Sequence, residues 1–267
     1  MEKSNISQIL SNQSIAYNMY LMAIDSRTIA DNGKPGQFIH IKIPADNSLL
    51  LRRPISINSI DRDRGIVYIA YQVVGKGTHI LSMLKKGDKL DVLGPLGNGF
   101  SIPYEADNIV LVGGGCGIAP LRYIVDYWTD KTYTSFLGYR DRNSIYQLEI
   151  FDKASDKTYL STDDGSQGEK GFITDILKRE RENINSNLII ACGPINMLRE
   201  VQTFSNEHNV PCQISLEERM GCGIGACMVC SCAVRSKKDF EYKKVCSDGP
   251  VFWSDEVILD AKTKSSC

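Results

Sequence analysis

Through the first hundred residues, apolar positions come in short runs: AYNMYLMAI (Ala16 to Ile24), QFIHIKI (Gln37 to Ile43), ISINSI (Ile55 to Ile60) and GIVYIAYQVV (Gly65 to Val74). Turn-forming pieces such as DNGKPG and DRDRG divide them, the punctuation expected between β-strands. KLDVLGPLGNGF adds a further strand and loop. Six or so strands over 1–103 predict a small closed barrel, because closure removes the edges an open sheet would expose. One helix should interrupt it over Thr78 to Leu84, where Ile80, Leu81 and Leu84 precede the stop Lys85-Lys86-Gly87.

The pattern changes over 104–216, where strand and helix alternate. NIVLV (Asn108 to Val112) runs into GGGCGIAP and then LRYIVDYW, whose apolar residues Leu121, Ile124, Val125 and Trp128 have helical spacing. Pro120 suits the first helical turn. Further strands are expected at 132–137, 157–161 and 188–191, and helices at 172–177 and 194–204. That alternation predicts an α/β domain with a parallel sheet. The remaining residues, 217–267, form a cysteine-rich module, so the chain reads as a multidomain α+β and α/β protein.

The strongest chemical signal is MGCGIGACMVCSC, Met220 to Cys232. It sets Cys222, Cys227 and Cys230 at C-x4-C-x2-C spacing, and Cys246 follows after fifteen residues in CSDGP. Three thiolates from one loop and a fourth from a returning strand are the ligand set of a 2Fe–2S cluster, at plant-type ferredoxin spacing. Gly221, Gly223 and Gly225, with Ala226, let the backbone close around a cluster and aim N–H groups at its sulfurs. A structural zinc site is the competing account, but it usually pairs two C-x2-4-C knuckles, and here a lone Cys246 replaces the second. Cys232 is expected to pack on the following strand. Cys116, Cys192, Cys212 and Cys267 are too scattered to make another site.

Charge and length narrow the field. Over 267 residues the net charge is −1, which gives no electrostatic case for nucleic acid, and the pairs Arg52-Arg53, Lys85-Lys86 and Lys237-Lys238 are balanced by nearby acids. No stretch approaches a membrane span. Nine cysteines is an odd count, and MEKSNISQIL lacks a basic start feeding an apolar run, so a reducing cytoplasm is expected rather than a disulfide framework.

Two barrel segments could hold a phosphate-bearing ligand. Arg53-Pro54-Ile55-Ser56 combines a fixed cation, a rigid φ and a hydroxyl. Tyr71 to Thr78 breaks a strand at two glycines before a helix whose first amides suit a pyrophosphate. Taken alone, a surface Arg-Pro turn and a capped helix explain them better. The loop Gly113-Gly114-Gly115 between strand and helix also suits phosphate, although Ile118 stands where G-x-G-x-x-G needs its third glycine. Cys192-Gly193-Pro194 follows a buried strand, at the end of the sheet where ligands bind; Cys192 there either contacts a nicotinamide or simply packs. His40, His79 and His208 lack convergent partners and read as structural.

Taken in order, RPIS, VVGKGT, GGGCGIAP, CGP and the four-cysteine module resemble the ferredoxin reductase superfamily. More narrowly, EERMGCGIGAC followed by CSDGPVF resembles the electron-transfer subunits of the NAD-dependent class of dihydroorotate dehydrogenase, over nearly the whole chain. The resemblance implies that FAD is held by Arg53, Pro54, Ile55, Ser56, Ala70, Tyr71, Gln72, Gly77 and Thr78. It implies that Cys222, Cys227, Cys230 and Cys246 hold the 2Fe–2S cluster, and that Gly113, Gly114, Gly115, Cys192, Gly193 and Pro194 face NAD. It further implies a separate FMN-containing catalytic subunit, a heterotetramer of two of each chain, and a place in pyrimidine (UMP) biosynthesis. No residue here offers a base for dihydroorotate, so no catalytic residue is assigned. Arg140 and Arg142 flank Asp141, which disfavours the 2′-phosphate of NADP. Gly221 and Cys232 depart from the usual pattern. Related flavin subunits of hydrogenases, sulfite reductases or ferredoxin-dependent transhydrogenases share the layout, and a zinc-stabilised binding module is the alternative of another class.

Overall fold

The computed structural model describes residues 5–44, 49–237 and 239–259. Its first element, β1 (Asn5–Ala16), precedes every expected strand; its many polar residues hide the alternation that buries Ser7 and Ile9. The run expected as one strand over 16–24 is a hairpin. β1 ends at Ala16, Asn18 takes a φ of 55°, and β2 (Met19–Asp25) returns antiparallel. Asparagine tolerates that left-handed geometry better than most side chains.

The chain continues through α1 (Arg27–Asn32), β3 (Phe38–Lys42), β4 (Arg53–Asp61), β5 (Ile66–Gln72), α2 (Lys76–Met83) and β6 (Lys89–Leu96). The six strands close as β1-β2-β5-β4-β3-β6, the expected barrel. Ile9, Ile24, Ile39, Ile41, Ile57 and Ile69 fill its interior. α2 starts two residues earlier than expected because the Thr78 hydroxyl turns back, accepting from the Val74 and Gly75 amides at 3.0 and 3.3 Å.

A seven-stranded sheet follows. Its strands are β7 (Asn108–Gly114), β8 (Thr132–Tyr139), β9 (Lys157–Thr162), β10 (Glu169–Lys170), β11 (Leu188–Cys192) and β12 (Cys212–Ser215), joined at one edge by a late strand. β7 explains why its sequence is a continuous apolar run. Ile109 and Leu111 face one core with α3 (Ile118–Tyr127) and α4 (Leu148–Ala154), while Val110 and Val112 face the other with α5 (Ile173–Arg179) and α6 (Ile195–His208). α1, α4, β10 and β12 are too short to have been legible as periodic patterns.

After β12 the chain leaves the sheet, forms the hairpin β13 (Ser231–Ser236) and β14 (Asp239–Lys244), and comes back as β15 (Val251–Trp253). β15 pairs antiparallel with β12, Ile214 opposite Phe252, so the cysteine-rich segment is inserted between two strands of one sheet. Cys246 lies in the turn after β14, not within the strand itself. Among the described residues, no helix is long and apolar enough to cross a membrane.

Candidate functional site

The four cysteines approach one another in two pairs. Cys222 lies beside Cys227, and Cys230 beside Cys246. Two-and-two is the arrangement of a binuclear cluster, each iron taking two thiolates. The loop amides already point at sulfur: Gly225 N donates to Cys246 Sγ at 3.2 Å and Cys227 N to Cys222 Sγ at 3.4 Å. Desolvation works against the Cys222 thiolate, but the amides of Ile224 and Cys227 outweigh it and lower the thiol to about 6. Desolvation, then the neighbouring Cys230 thiol, push Cys246 up to about 12. A cluster that turns all four into ligands fits this donor set. Cys232 stands on β13, half-buried against the adjoining core, and Cys212 is buried in β12; Cys267 lies outside the described residues.

The barrel grips this loop. Gly223, at φ +74°, lies so close to His40 on β3 that a Cβ there would fall 2.3 Å from His40 Nδ1. Asn98, just past β6, donates to the carbonyls of Ser247 and Asp248 at 3.1 and 3.0 Å, and its own amide donates to Gly249 O at 2.6 Å. The turn carrying Cys246 is thereby fixed to the barrel.

The expected flavin residues meet at the barrel rim. Gly77 packs against the Arg53 guanidinium, where a Cβ would sit 2.8 Å from Nε, so RPIS and GKGT form one surface. On β4, Ile55 and Ile57 pack inward, which turns Ser56 and Asn58 outward. Pro54 is half-buried beside them. Tyr71 is the exception to a side-chain role. Its ring is buried in the barrel against Tyr20, with the hydroxyl donating to Asn12 Oδ1 at 3.0 Å, and burial raises that hydroxyl above the usual tyrosine range. Only its main chain is available to a ligand. Ala70 faces the neighbouring domain's core, and Gln72 is exposed.

The glycine loop is tightly packed at two positions and open at a third. A Cβ at Gly113 would meet Ile118, and one at Gly114 would meet Met197 and Pro194, so these two permit close helix packing. Gly115, at φ +52°, has open space around it and is the position free for a ligand. Tyr146 holds the turn, donating to the carbonyls of Gly115 and Cys116 at 3.1 and 3.3 Å. Cys192 ends β11 on the same crevice, and desolvation pushes its thiol up to about 12. Cys116 is open to solvent, beside the Gln72 main chain and the Glu217 carboxylate. Gly193 packs on Met197 and Gly114, and Pro194 precedes α6.

Pattern reading missed the residues that join these surfaces. Asn58 and Gln147 exchange amide hydrogen bonds at 3.0 and 2.9 Å, and Asn58 also donates to Ala119 O at 2.8 Å. Gln213 and Ser101 bond reciprocally at 2.6 and 3.0 Å. His40 carried a faint signal, a polar residue inside an apolar strand. Gln147 carried none.

Residues 217–258 match the iron-sulfur cluster binding domain of dihydroorotate dehydrogenase B, and residues 111–203 match the oxidoreductase NAD-binding domain. Over 262 residues the chain is 38% identical to the dihydroorotate dehydrogenase B (NAD(+)) electron transfer subunit of Desulforamulus reducens, covering 97% of this chain and 100% of that protein. Against the subunit of the same name from Bacillus caldolyticus, identity is 42% over 258 residues, covering 94% and 97%. The chain belongs to the dihydroorotate dehydrogenase B electron transfer subunit family. The family's fold also superposes, at TM-score 0.86 and 31% identity over 99% of this chain and 94% of the other, on a chain of an NADH-dependent reduced ferredoxin-NADP oxidoreductase studied for flavin-based electron bifurcation. Family membership makes this an oxidoreductase subunit, and its two cysteine pairs lie within the matched cluster-binding domain.

Proposed function

We propose that this chain takes electrons from a separate FMN-containing, dihydroorotate-oxidising subunit and delivers them through a 2Fe–2S cluster and FAD to NAD+, within pyrimidine biosynthesis. The observation that carries the proposal is the pairing of Cys222 with Cys227 and Cys230 with Cys246 on a loop fastened to the barrel. Bound flavin exchanges a hydride with nicotinamide and single electrons with an iron–sulfur centre, so it belongs between them. Arg53 supplies a cation for its phosphates, Ser56 a hydroxyl at the ring edge, and Gly77 and Thr78 the first amides of α2. The main chain of Ala70, Tyr71 and Gln72 would hold the flavin. Gly115 and Cys192-Gly193-Pro194 receive the nicotinamide nucleotide. Asp141 supports NAD over NADP: its carboxylate accepts from Ser144 N and Oγ at 3.0 and 2.8 Å, and Arg142 donates to Ser166 O at 3.1 Å.

The partner's docking face lies on the cluster loop, where Ile224, Met228 and Val229 are each more than half exposed. Two chains of each kind make the assembly, in a cytoplasm reducing enough to keep the thiols free. The test is purification with anaerobic reconstitution. The protein should show flavin and iron–sulfur absorbance, oxidise NADH faster than NADPH with dyes, and leave dihydroorotate untouched until the FMN subunit is added. Orotate formed by this chain alone rejects the division of labour. A colourless protein containing zinc favours a binding module instead. A second reading, a subunit serving a ferredoxin-linked transhydrogenase, draws on the 0.86 superposition; copurification of a partner that couples ferredoxin to NADP in place of the FMN subunit would select it.

A further inference from the structure

We propose that His40 is a positioning residue for the cluster, donating a ring N–H to sulfur at the Cys222–Gly223 edge and thereby setting how tightly the added electron is held. The inference presupposes the 2Fe–2S site proposed above. His40 lies on the outer face of β3: Ile39 and Ile41 on either side fill the barrel, whereas Phe38, on the same face as His40, packs in the core shared with Cys230 and Cys246. The imidazole is fully buried, and neither ring nitrogen has a hydrogen-bond partner among the described residues. A neutral imidazole always carries one N–H, and a buried donor left without an acceptor is costly. Main-chain carbonyls of Arg52 and Cys222 lie beside the ring without meeting hydrogen-bond geometry, and Nδ1 is the atom that faces Gly223.

A cluster held by Cys222 would bring thiolate and sulfide sulfurs as acceptors to this edge. Hydrogen bonds to cluster sulfurs favour the more negative, reduced form and raise its potential. No proton moves in this scheme: the N–H stays on the ring while one electron is added. Of the three histidines, His79 lies on α2 and His208 ends α6 against Phe204, so neither competes for the role.

The experiment uses the reconstituted full chain labelled with 15N-histidine. Pulsed EPR of the dithionite-reduced protein should show coupling to a histidine nitrogen, and H40N, whose amide nitrogen replaces Nδ1, should abolish that coupling while keeping the potential within threefold of wild type in equilibrium constant. H40L, which removes the donor, should weaken the hold on the electron about tenfold, or about 59 mV for a one-electron couple. Iron and sulfide content is measured in every sample. A loaded wild-type chain without histidine coupling overturns the inference even if H40L fails to load, and so does a loaded H40L with an unchanged potential. A wild-type chain free of iron and sulfide overturns the cluster proposal itself.

Discussion

Gly223→Ala puts the join between barrel and cluster loop under a defined load. At φ +74° an L side chain is strained by about 1–2 kcal/mol. The new methyl would also lie 2.3 Å from His40 Nδ1 and 2.9 Å from Cε1, far inside van der Waals contact. His40 cannot yield easily, because β3 is paired on both sides, to β4 and β6. The loop must move instead, and overpacking of this kind costs about 1–3 kcal/mol. The sum is about 2–5 kcal/mol, and it falls on the segment carrying Cys222. Gly87→Ala is the matched control, since Gly87 has φ +97° but nothing within 4 Å, so only the backbone term applies. Reconstituted variants should be compared by thermal midpoint and by iron per chain. G223A should melt below G87A and hold less than half the iron. Equal midpoints with full iron in both would show that the Gly223–His40 contact does not constrain the loop.

Three further outcomes follow from the same geometry. Cys227→Ser should remove cluster absorbance while leaving flavin bound, and an intact cluster spectrum in that variant contradicts the cysteine pairing. Asn58→Ala, which strands the Ala119 carbonyl and the half-buried Gln147 amide, and Gln147→Ala, which strands the carbonyl of the buried Asn58, should each cost about 1–3 kcal/mol, and the double variant should cost at least about 0.5 kcal/mol less than their sum; strict additivity in urea unfolding would deny the coupling. In the cluster-free chain, Cys222, lowered to about 6, is largely thiolate at pH 7, whereas Cys246, raised to about 12, is not. Iodoacetamide mapping by mass spectrometry should therefore label Cys222 first, with a rate falling as pH drops through 6; equal labelling at pH 7 refutes the assignment.

The barrel, the parallel sheet and the cysteine quartet were legible because each leaves a local mark. Ile39 and Ile41 alternate with His40, NIVLV is apolar on both faces, and C-x4-C-x2-C is a spacing. What escaped was set by distant packing. The polar β1 looks like loop until it pairs with β2 and β6. β15 has three residues and gains its identity only from β12. The glycines at 113 and 114 are legible as a strand-to-helix loop, but the close packing of Ile118, Met197 and Pro194 against them is not. Tyr71 was legible as a member of a ligand-facing strand, yet which way its ring points depends on the barrel closing around it.

The return of β15 to the sheet bears on how reliably current flows. A redox carrier hung on a free tail would wander, and its hopping rate would fluctuate with every excursion. Here the carrier's segment is stitched at both ends to the nucleotide domain and clipped by Asn98 in between, so the gap the electron crosses is fixed by the fold. Cutting the chain ahead of Val251 would free one end and leave β12 as a bare edge, exchanging a wired carrier for a tethered one.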